Sequence, residues 1–292
     1  MDQPFVTSQI YGQLGNQLFQ IAATLAYSWD YQAIPLFPGL HNPSWNISYN
    51  RDKLFSHLNT SMPPRPVLNL FKESSWCSAE RIPFYKDLLI DGYFQSWKHF
   101  HHHRTKILKT FSPSLHILSD LSQKYGDLLD KPNTVGIHVR TQSKRTHDAG
   151  IHPFWGMPYY EKALNLFPQD SIFIICSDRI NWCKKHFSPL QRNFIYAEGN
   201  DGISDLFLLS LCKHNILCNS SYSWWAAYLN QHDEAKIIFP KDWQEKPTGI
   251  NPNPRDFFLD QWTLIDSLRK PAYPFDMFYY DKTSQSVDNQ NN

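Results

Sequence analysis

The stretch SDLFLLSLCKHNILCNSSYSWWAAYLN, from Ser204 to Asn230, predicts a helix, a strand and a second helix in succession. DLFLLSLC and SWWAAYLNQ have helical spacing of apolar residues, whereas NILC is short and continuously apolar. A strand that is apolar on both faces is typical of a parallel sheet covered by helices. The stretch therefore predicts an α/β fold, in which Asn219, Ser220 and Ser221 stand where the strand meets the second helix.

The same alternation of strands and helices extends over the chain from Thr134 onward. TVGIHVR, SIFIIC, NFIYAE and KIIFP predict strands, with the helical segments PYYEKALNLF and RINWCKKHF between them. The beginning of the chain is less regular: VTSQIY and DLLIDGYFQ predict strands followed by helical segments, and residues 38–84 are typical of loops. We expect an N-terminal domain at 1–130, a Rossmann-like domain at 131–250 and a C-terminal extension with a partly disordered tail at 251–292.

Composition and charge exclude several functional classes. The 292 residues include 28 Lys and Arg against 27 Asp and Glu, a net charge of +1, which does not fit a nucleic-acid-binding surface. The five cysteines have no regular spacing, which argues against disulfides and zinc. The chain has no signal peptide pattern and no apolar run long enough to span a membrane. We therefore expect a cytoplasmic protein, and peripheral association with the cytoplasmic membrane is compatible with this sequence.

The junction at Asn219, Ser220 and Ser221 predicts an anion site. A helix N-terminus offers the positive end of the helix dipole and free N–H groups, to which the serines add hydroxyls. Ordinary N-capping would use the same serines, so both interpretations stand. We expect Trp224 and Trp225, which follow, to pack the helix rather than to hold a ligand.

Two other strand ends carry groups suited to a phosphorylated ligand. His138 and Arg140 end the strand VGIHVR on one face, and carboxyl ends of parallel strands form ligand crevices. The basic residues that follow Arg140 in the sequence suit a diphosphate. Alternatively, they form only a solvated basic loop. Gly12 to Asn16, GQLGN, form a second strand-to-helix junction, where glycines allow close approach of a ligand or simply a tight turn.

No metal site is expected. The chain contains no carboxylate-x-carboxylate motif. The run of histidines at His99 and His101 to His103 has successive side chains about 100° apart on a helix, so three in a row cannot face one ion. We interpret this run as exposed surface.

Six segments together resemble glycosyltransferase family 11, the α-1,2-fucosyltransferases, over residues 10–243. They are GQLGNQLFQIAATLA, DGYFQSWKHF, VGIHVR, MPYYEKAL, CSDRINWCKKHF and the stretch from Ser204 to Asn230, in the order seen in the family. The resemblance implies an α/β fold of GT-B type, with two Rossmann-like domains facing a cleft. It implies that the domain at 1–130 is on the acceptor side and that the domain at 131–250 binds the GDP-sugar. It also implies inverting transfer of L-fucose from GDP-fucose to the 2-hydroxyl of a terminal galactose of a glycan, without metal or cofactor. Bacterial lipopolysaccharide or O-antigen synthesis is the expected setting.

Carried over by position, the resemblance implies roles for individual residues. His138 would meet the guanine side, Arg140 the β-phosphate and Asp205 the base. Ser220 and Ser221 would contact the pyrophosphate. The full set expected to bind the GDP-sugar is Gly12, Gly15, Asn16, His138, Arg140, Lys144, Asp178, Asp205, Asn219, Ser220 and Ser221.

The chain departs from the family after the His-x-Arg motif. Members usually continue with a second Arg and then Gly-Asp, whereas this chain reads HVRTQSKRTHD. Lys144 or Arg145 could replace the missing cation. We predict Arg140 and Asp148 as catalytic residues, with Asp148 as the base; the alternative is that Asp148 only pairs with Lys144 or Arg145. A transferase for another GDP-sugar or linkage, and an inactive nucleotide-sugar or glycan-binding protein, are the functional alternatives.

Overall fold

A computed structural model describes residues 3–141, 153–243 and 254–267. Over these ranges the chain forms two β-sheets, in which every strand pair is parallel. The first sheet has the strands β1 (Phe5–Ser8), β2 (Ile34–Leu36), β3 (Asn69–Lys72) and β4 (Leu88–Asp91), in the order β2-β1-β4-β3. The second has β5 (Thr134–Val139), β6 (Ile172–Ser177), β7 (Asn193–Tyr196), β8 (His214–Ile216), β9 (Ile237–Pro240) and β10 (Thr263–Ile265), in the order β10-β9-β8-β5-β6-β7.

Helices connect the parallel strands. They are α1 (Leu14–Tyr31), α2 (Ile47–Asn50), α3 (Arg104–Thr110), α4 (Leu115–Leu129), α5 (Met157–Leu164), α6 (Ile180–Phe187), α7 (Gly202–Leu211), α8 (Ser221–Leu229) and α9 (Pro254–Phe257). Within the described ranges, none of them is both long and apolar enough to cross a membrane.

The second sheet confirms the predicted alternation for β5 to β9, whereas β10, which lies in the segment expected as a C-terminal extension, was not predicted. β5 and β9 are buried along their whole length, and the strands between them follow the predicted order. Continuous apolar runs predicted these strands because helices cover both faces of the sheet. The division expected at residue 130/131 falls between α4 and β5, and the domain boundaries themselves stay a prediction.

The first sheet is only partly as predicted. β1 and β4 confirm the strands expected at VTSQIY and DLLIDGYFQ, but β2 and β3 were not predicted, and β3 lies inside the segment interpreted as loop. Both are edge strands: β2 contains Pro35, and Leu70 of β3 is 62% exposed. Short edge strands carry little of the apolar pattern that identifies a buried strand. The histidine segment forms two 3₁₀ turns before α3 rather than one continuous helix.

A shared apolar core joins α1 to α8. The ring of Phe19 lies 4.5 Å from that of Trp224 and 5.1 Å from that of Trp225. Phe100 stacks on Trp225 at 5.4 Å, and both tryptophans are fully buried. Each such aromatic pair contributes about 0.5–1.5 kcal/mol beyond the area it buries. The tryptophans therefore pack the helix, as expected, and hold the N-terminus of α8 against that of α1.

Candidate active site

The glycines of the GQLGN loop allow α1 to approach α8. Gly12 has a φ of +79°, which favours glycine. A Cβ atom added to Gly15 would lie 2.4 Å from the backbone nitrogen of Tyr222, in the first turn of α8. The close approach that glycine permits at Gly15 is thus made by a second helix.

A chain of hydrogen bonds crosses this contact. The Asn16 Oδ1 atom accepts from the Ser221 hydroxyl at 2.8 Å and from the Gln95 amide at 2.7 Å. The Trp76 indole in turn donates to Gln95 Oε1 at 2.7 Å. Asn16 therefore links the N-terminus of α8 to the loop that follows β4, and its side chain has a fixed orientation.

The exposed guanidinium of Arg140 lies beside the same helix terminus. Its Nη1 donates to the hydroxyl of Ser220 at 3.3 Å, and Ser220 is the buried N-cap residue of α8. Within the described chain, the Ser220 side chain makes no capping bond to the first turn. The first N–H groups of a helix lack partners inside it, so α8 contributes donors and Arg140 a positive charge at one point. This arrangement favours the anion site over simple side-chain capping.

His138 is a buried link between β5 and α8. Its Nδ1 lies 2.5 Å from the hydroxyl of Ser223 and 3.4 Å from the sulfur of Cys218. Burial, with a contribution from the positive charge of Arg140, lowers the pKa of His138 to about 3. The imidazole is therefore neutral at physiological pH, and the fixed positive charge of this edge belongs to Arg140. The predicted contact of His138 with guanine stays a prediction.

The other predicted binding residues hydrogen-bond to neighbouring loops. Asp178 accepts from the Thr141 backbone at 3.2 Å, and Asp205 accepts from the Asn200 amide at 2.9 Å. Burial raises the pKa of both carboxyl groups. The Asn219 amide donates to the backbone carbonyl of Trp243 at 3.0 Å. Lys144 and Asp148 lie outside the described residues.

Sequence reasoning assigned no role to a second group of polar side chains, at the carboxyl edge of the first sheet. Tyr11 follows β1, Glu73 follows β3 and Asp91 ends β4. The Tyr11 hydroxyl lies 3.5 Å from Asp91 Oδ1, and Glu73 Oε2 accepts from the backbone N–H of Tyr93 at 2.8 Å. The segment DGYFQSWKHF contains Asp91 and contributed to the family resemblance, but its spacing gives no sign of a partner 80 residues away.

The histidine run is only partly exposed, contrary to expectation. His99 is partly buried and its Nε2 lies 2.7 Å from the Ser78 carbonyl oxygen. His102 and His103 both reach Asp30, with Nε2 atoms 3.0 and 2.8 Å from Oδ1. Within the described ranges, Asp30, His102 and His103 are the one group spaced to hold a metal ion. Asp30 is 14 residues along α1 from Asn16, or about 20 Å at 1.5 Å per residue, which separates this group from the α8 terminus.

The family of the chain follows from comparison with known proteins. The sequence model described as Glycosyl transferase family 11 matches residues 6–266. The chain belongs to glycosyltransferase family 11. An α-1,2-colitosyltransferase of Escherichia coli is 26% identical over 89% of this chain and 99% of its own length. The galactoside α-(1,2)-fucosyltransferase 1 of Homo sapiens is 27% identical over 90% of this chain and 75% of its own.

Solved structures agree with the fold. A NodZ α-1,6-fucosyltransferase soaked with GDP-fucose superimposes with a TM-score of 0.52, at 14% identity, over 78% of this chain and 93% of that one. The fucosyltransferase NodZ from Bradyrhizobium gives a TM-score of 0.52 at 12% identity, with the same coverage. The predicted GT-B-like α/β fold is confirmed. This family 11 chain is a glycosyltransferase of the fucosyl-transferring type, as its sequence predicts.

Proposed function

We propose that the chain transfers L-fucose from GDP-fucose to the 2-hydroxyl of a terminal galactose of a glycan, with inversion at the anomeric carbon. The observation that carries this proposal is the contact between Arg140 and Ser220 at the N-terminus of α8. It unites a permanent cation with the first N–H groups of α8, which have no partner inside the helix, at the carboxyl edge of a parallel sheet. Relatives named galactoside α-(1,2)-fucosyltransferases support the linkage.

Arg140 and the first turn of α8 bind the diphosphate in this account. A guanidinium forms two parallel hydrogen bonds to a phosphate and keeps its charge at any physiological pH. His138 and Asp205 are the predicted contacts of the nucleoside, and Asp178 is a further predicted contact of the GDP-sugar. Gly12, Gly15 and Asn16 close the site from the first sheet.

The reaction is a single displacement. The acceptor oxygen forms a bond to the anomeric carbon while the bond from that carbon to the β-phosphate oxygen breaks, and its electron pair leaves with GDP. The hydroxyl proton passes to a base, for which the sequence predicts Asp148. Negative charge grows on the departing diphosphate, so the fixed donors around Arg140 lower the barrier most. We propose that these donors make a metal ion unnecessary.

A bacterial surface polysaccharide is the proposed context. The O-antigen biosynthesis glycosyltransferase WbnK of Escherichia coli is 26% identical over 81% of this chain and 94% of its own length. An acceptor of that class is built from activated sugars available in the cytoplasm. We therefore propose a cytoplasmic enzyme that meets its glycan at the surface of the cytoplasmic membrane.

A different donor is the second candidate. The E. coli relative named α-1,2-colitosyltransferase is as similar to this chain as the O-antigen relative, at 26% identity. That likeness favours a related deoxysugar in place of fucose, with the same linkage. The residues that bind the diphosphate would serve either donor.

A matrix of donors and acceptors tests these proposals. The purified chain is incubated with GDP-fucose, GDP-mannose or an activated colitose, each with lactose, with methyl β-galactoside and without acceptor. We expect fucosylated product from GDP-fucose with either galactoside and little release of GDP when no acceptor is present. Product from the activated colitose but not from GDP-fucose would establish the second candidate. GDP binding without any product would identify an inactive nucleotide-sugar-binding protein and contradict both.

A further inference from the structure

A cavity of about 300 Å³ lies at the carboxyl edge of the first sheet. The residues that matter most in its lining are Tyr11, Glu73, Ser75, Trp76, Asp91 and Tyr93. The rings of Tyr11 and Tyr93 meet edge to face at 4.9 Å, and Trp76 lies near them. Aromatic walls with a few convergent polar groups are characteristic of small-molecule sites, and about 300 Å³ is at the small end of their range.

A chain of hydrogen bonds connects this cavity to the site proposed for the diphosphate. Trp76, which lines it, is joined through Gln95 and Asn16 to Ser221 at the N-terminus of α8 by three hydrogen bonds of 2.7 to 2.8 Å. Tyr11 directly precedes Gly12 of the loop that contacts the same helix. The segment from Tyr11 to Asn16 therefore contributes both to the lining of this cavity and to the contact with α8.

The position of the cavity matters because, in an inverting displacement, the attacking oxygen and the leaving group are on opposite sides of the anomeric carbon. The attacking oxygen approaches the anomeric carbon from the face away from the leaving group. The base that takes its proton must therefore be on the wall opposite the diphosphate. Arg140 follows a strand of the second sheet, whereas Asp91 ends a strand of the first.

Two carboxylates line the cavity, and their surroundings differ. Glu73 Oε2 accepts two backbone N–H bonds, from Tyr93 and Phe94, and its Oε1 is buried without a hydrogen-bond partner among the described residues. Glu73 therefore holds the turn after β4 in place. Asp91 is half-buried, like Glu73, but the contact of its carboxylate is with a side chain: the Tyr11 hydroxyl lies 3.5 Å from its Oδ1. Because, within the described part of the chain, Asp91 is not engaged by the backbone of the turn in the way that Glu73 is, we take Asp91 as the carboxylate available to a sugar hydroxyl.

We infer that this cavity binds the terminal galactoside of the acceptor and that Asp91 accepts the proton of the attacking hydroxyl. The inference rests on the proposed function, and it assigns the base to Asp91 in place of Asp148, which the sequence predicts. Tyr11 would hydrogen-bond the same sugar, and the aromatic rings would cover its apolar face. A larger cavity of about 420 Å³ lies along the second half of α1, where Ala23, Tyr27 and Asp30 line it, and its carboxylate Asp30 is about 20 Å along the helix from Asn16.

The first test compares three carboxylate variants in transfer from GDP-fucose to methyl β-galactoside. Asp91→Asn should lower kcat by about a hundredfold or more, the contribution of a positioned base, while GDP binding measured by calorimetry stays unchanged. Asp30→Asn, which removes a carboxylate from the larger cavity, is the matched control and should transfer normally. If Asp91→Asn is as active as the wild type, Asp91 is not the proton acceptor, and loss of transfer in Asp148→Asn would then assign the base to Asp148.

The second test concerns the cavity itself and does not depend on turnover. Ser75 is an exposed residue of the lining, so Ser75→Trp should fill the cavity without disturbing the core, and Ser75→Ala is its control. Binding of methyl β-galactoside in the presence of GDP is followed by saturation-transfer NMR. We expect loss of the signal in Ser75→Trp alone, with GDP affinity retained. Equal signals in all three proteins would place the sugar elsewhere and overturn the inference. A wild-type protein that binds galactoside here but transfers no fucose would contradict the proposed function alone.

Discussion

Gly15 of α1 lies against Tyr222 of α8 so closely that a Cβ atom on Gly15 would stand 2.4 Å from the Tyr222 backbone nitrogen. The two residues come from helices that follow different sheets. Their contact brings the N-terminus of α8, with its free donors, to the loop that precedes α1. The geometry of the candidate site thus depends on the absence of one methyl group.

Gly15→Ala should therefore damage the site. Real Cβ atoms do not approach backbone within 3.0 Å, so the two helix termini must separate. We expect a loss of about 1–3 kcal/mol in the free energy of unfolding and a large fall in transfer. Gly202→Ala, at a position where an added Cβ meets nothing within 4 Å, is the control. Urea unfolding and the transfer assay measure both effects, and a fully active Gly15→Ala protein would show that this contact is not needed.

Arg140→Lys should impair transfer although it keeps the charge. A lysine ammonium cannot reproduce the planar, two-pronged contact of a guanidinium with a phosphate. We expect kcat to fall by about 10²–10³, the cost of losing one preorganised donor at a developing charge. Arg51→Lys, in a surface pair with Asp52, is the matched control. Near-normal kinetics in a folded Arg140→Lys enzyme would remove Arg140 from the site.

Chelation should leave the transfer rate intact. Arg140 and the first turn of α8 supply the positive field that a metal would otherwise provide. Within the described ranges the metal-spaced group of Asp30, His102 and His103 is about 20 Å along α1 from Asn16. The rate is measured with excess EDTA, then with added Mn²⁺. Complete loss with EDTA and recovery with Mn²⁺ would contradict the metal-free mechanism.

His138 should make the fold sensitive to acid. Its pKa is about 3 in the folded protein, against about 6.5 in an unfolded chain, so between these values only the unfolded state binds the proton. The contribution of the neutral His138 to the free energy of unfolding is complete above pH 6.5. As the pH falls below 6.5, this contribution decreases by at most about 1.4 kcal/mol per pH unit. Between pH 7 and pH 5, the free energy of unfolding should therefore fall less in His138→Gln than in the wild type. His116→Gln, at an exposed position of α4, should behave as the wild type. Equal pH dependence in His138→Gln and wild type would refute the assignment.

The sequence predicted the second sheet well because its strands are apolar on both faces. β5, with all six residues buried, is the clearest case. β3 escaped prediction because Leu70 and Lys72 face solvent at the sheet edge, so no continuous apolar run marks it. The histidines were assigned to exposed surface because spacing on one helix says nothing of Asp30, 72 residues away, which His102 contacts.

The candidate site, too, could be predicted only in part from the sequence. A strand ending in Asn219, Ser220 and Ser221 before a helix predicts an anion site from local chemistry alone. The partner of Ser221 is Asn16, 205 residues earlier, and no local pattern predicts that hydrogen bond. Asp91 was overlooked for the same reason, because its role is argued from the cavity that three strand ends form together.

The structure of the product tests the central claim most directly. The purified chain is given GDP-β-L-fucose and lactose, and the trisaccharide is analysed by NMR for the position and anomeric configuration of the new bond. The account predicts an α-L-fucosyl group on the 2-hydroxyl of galactose, with inversion of the donor configuration. A β-L-fucoside, attachment at another hydroxyl, or no fucosylated product from an enzyme that binds GDP would contradict it.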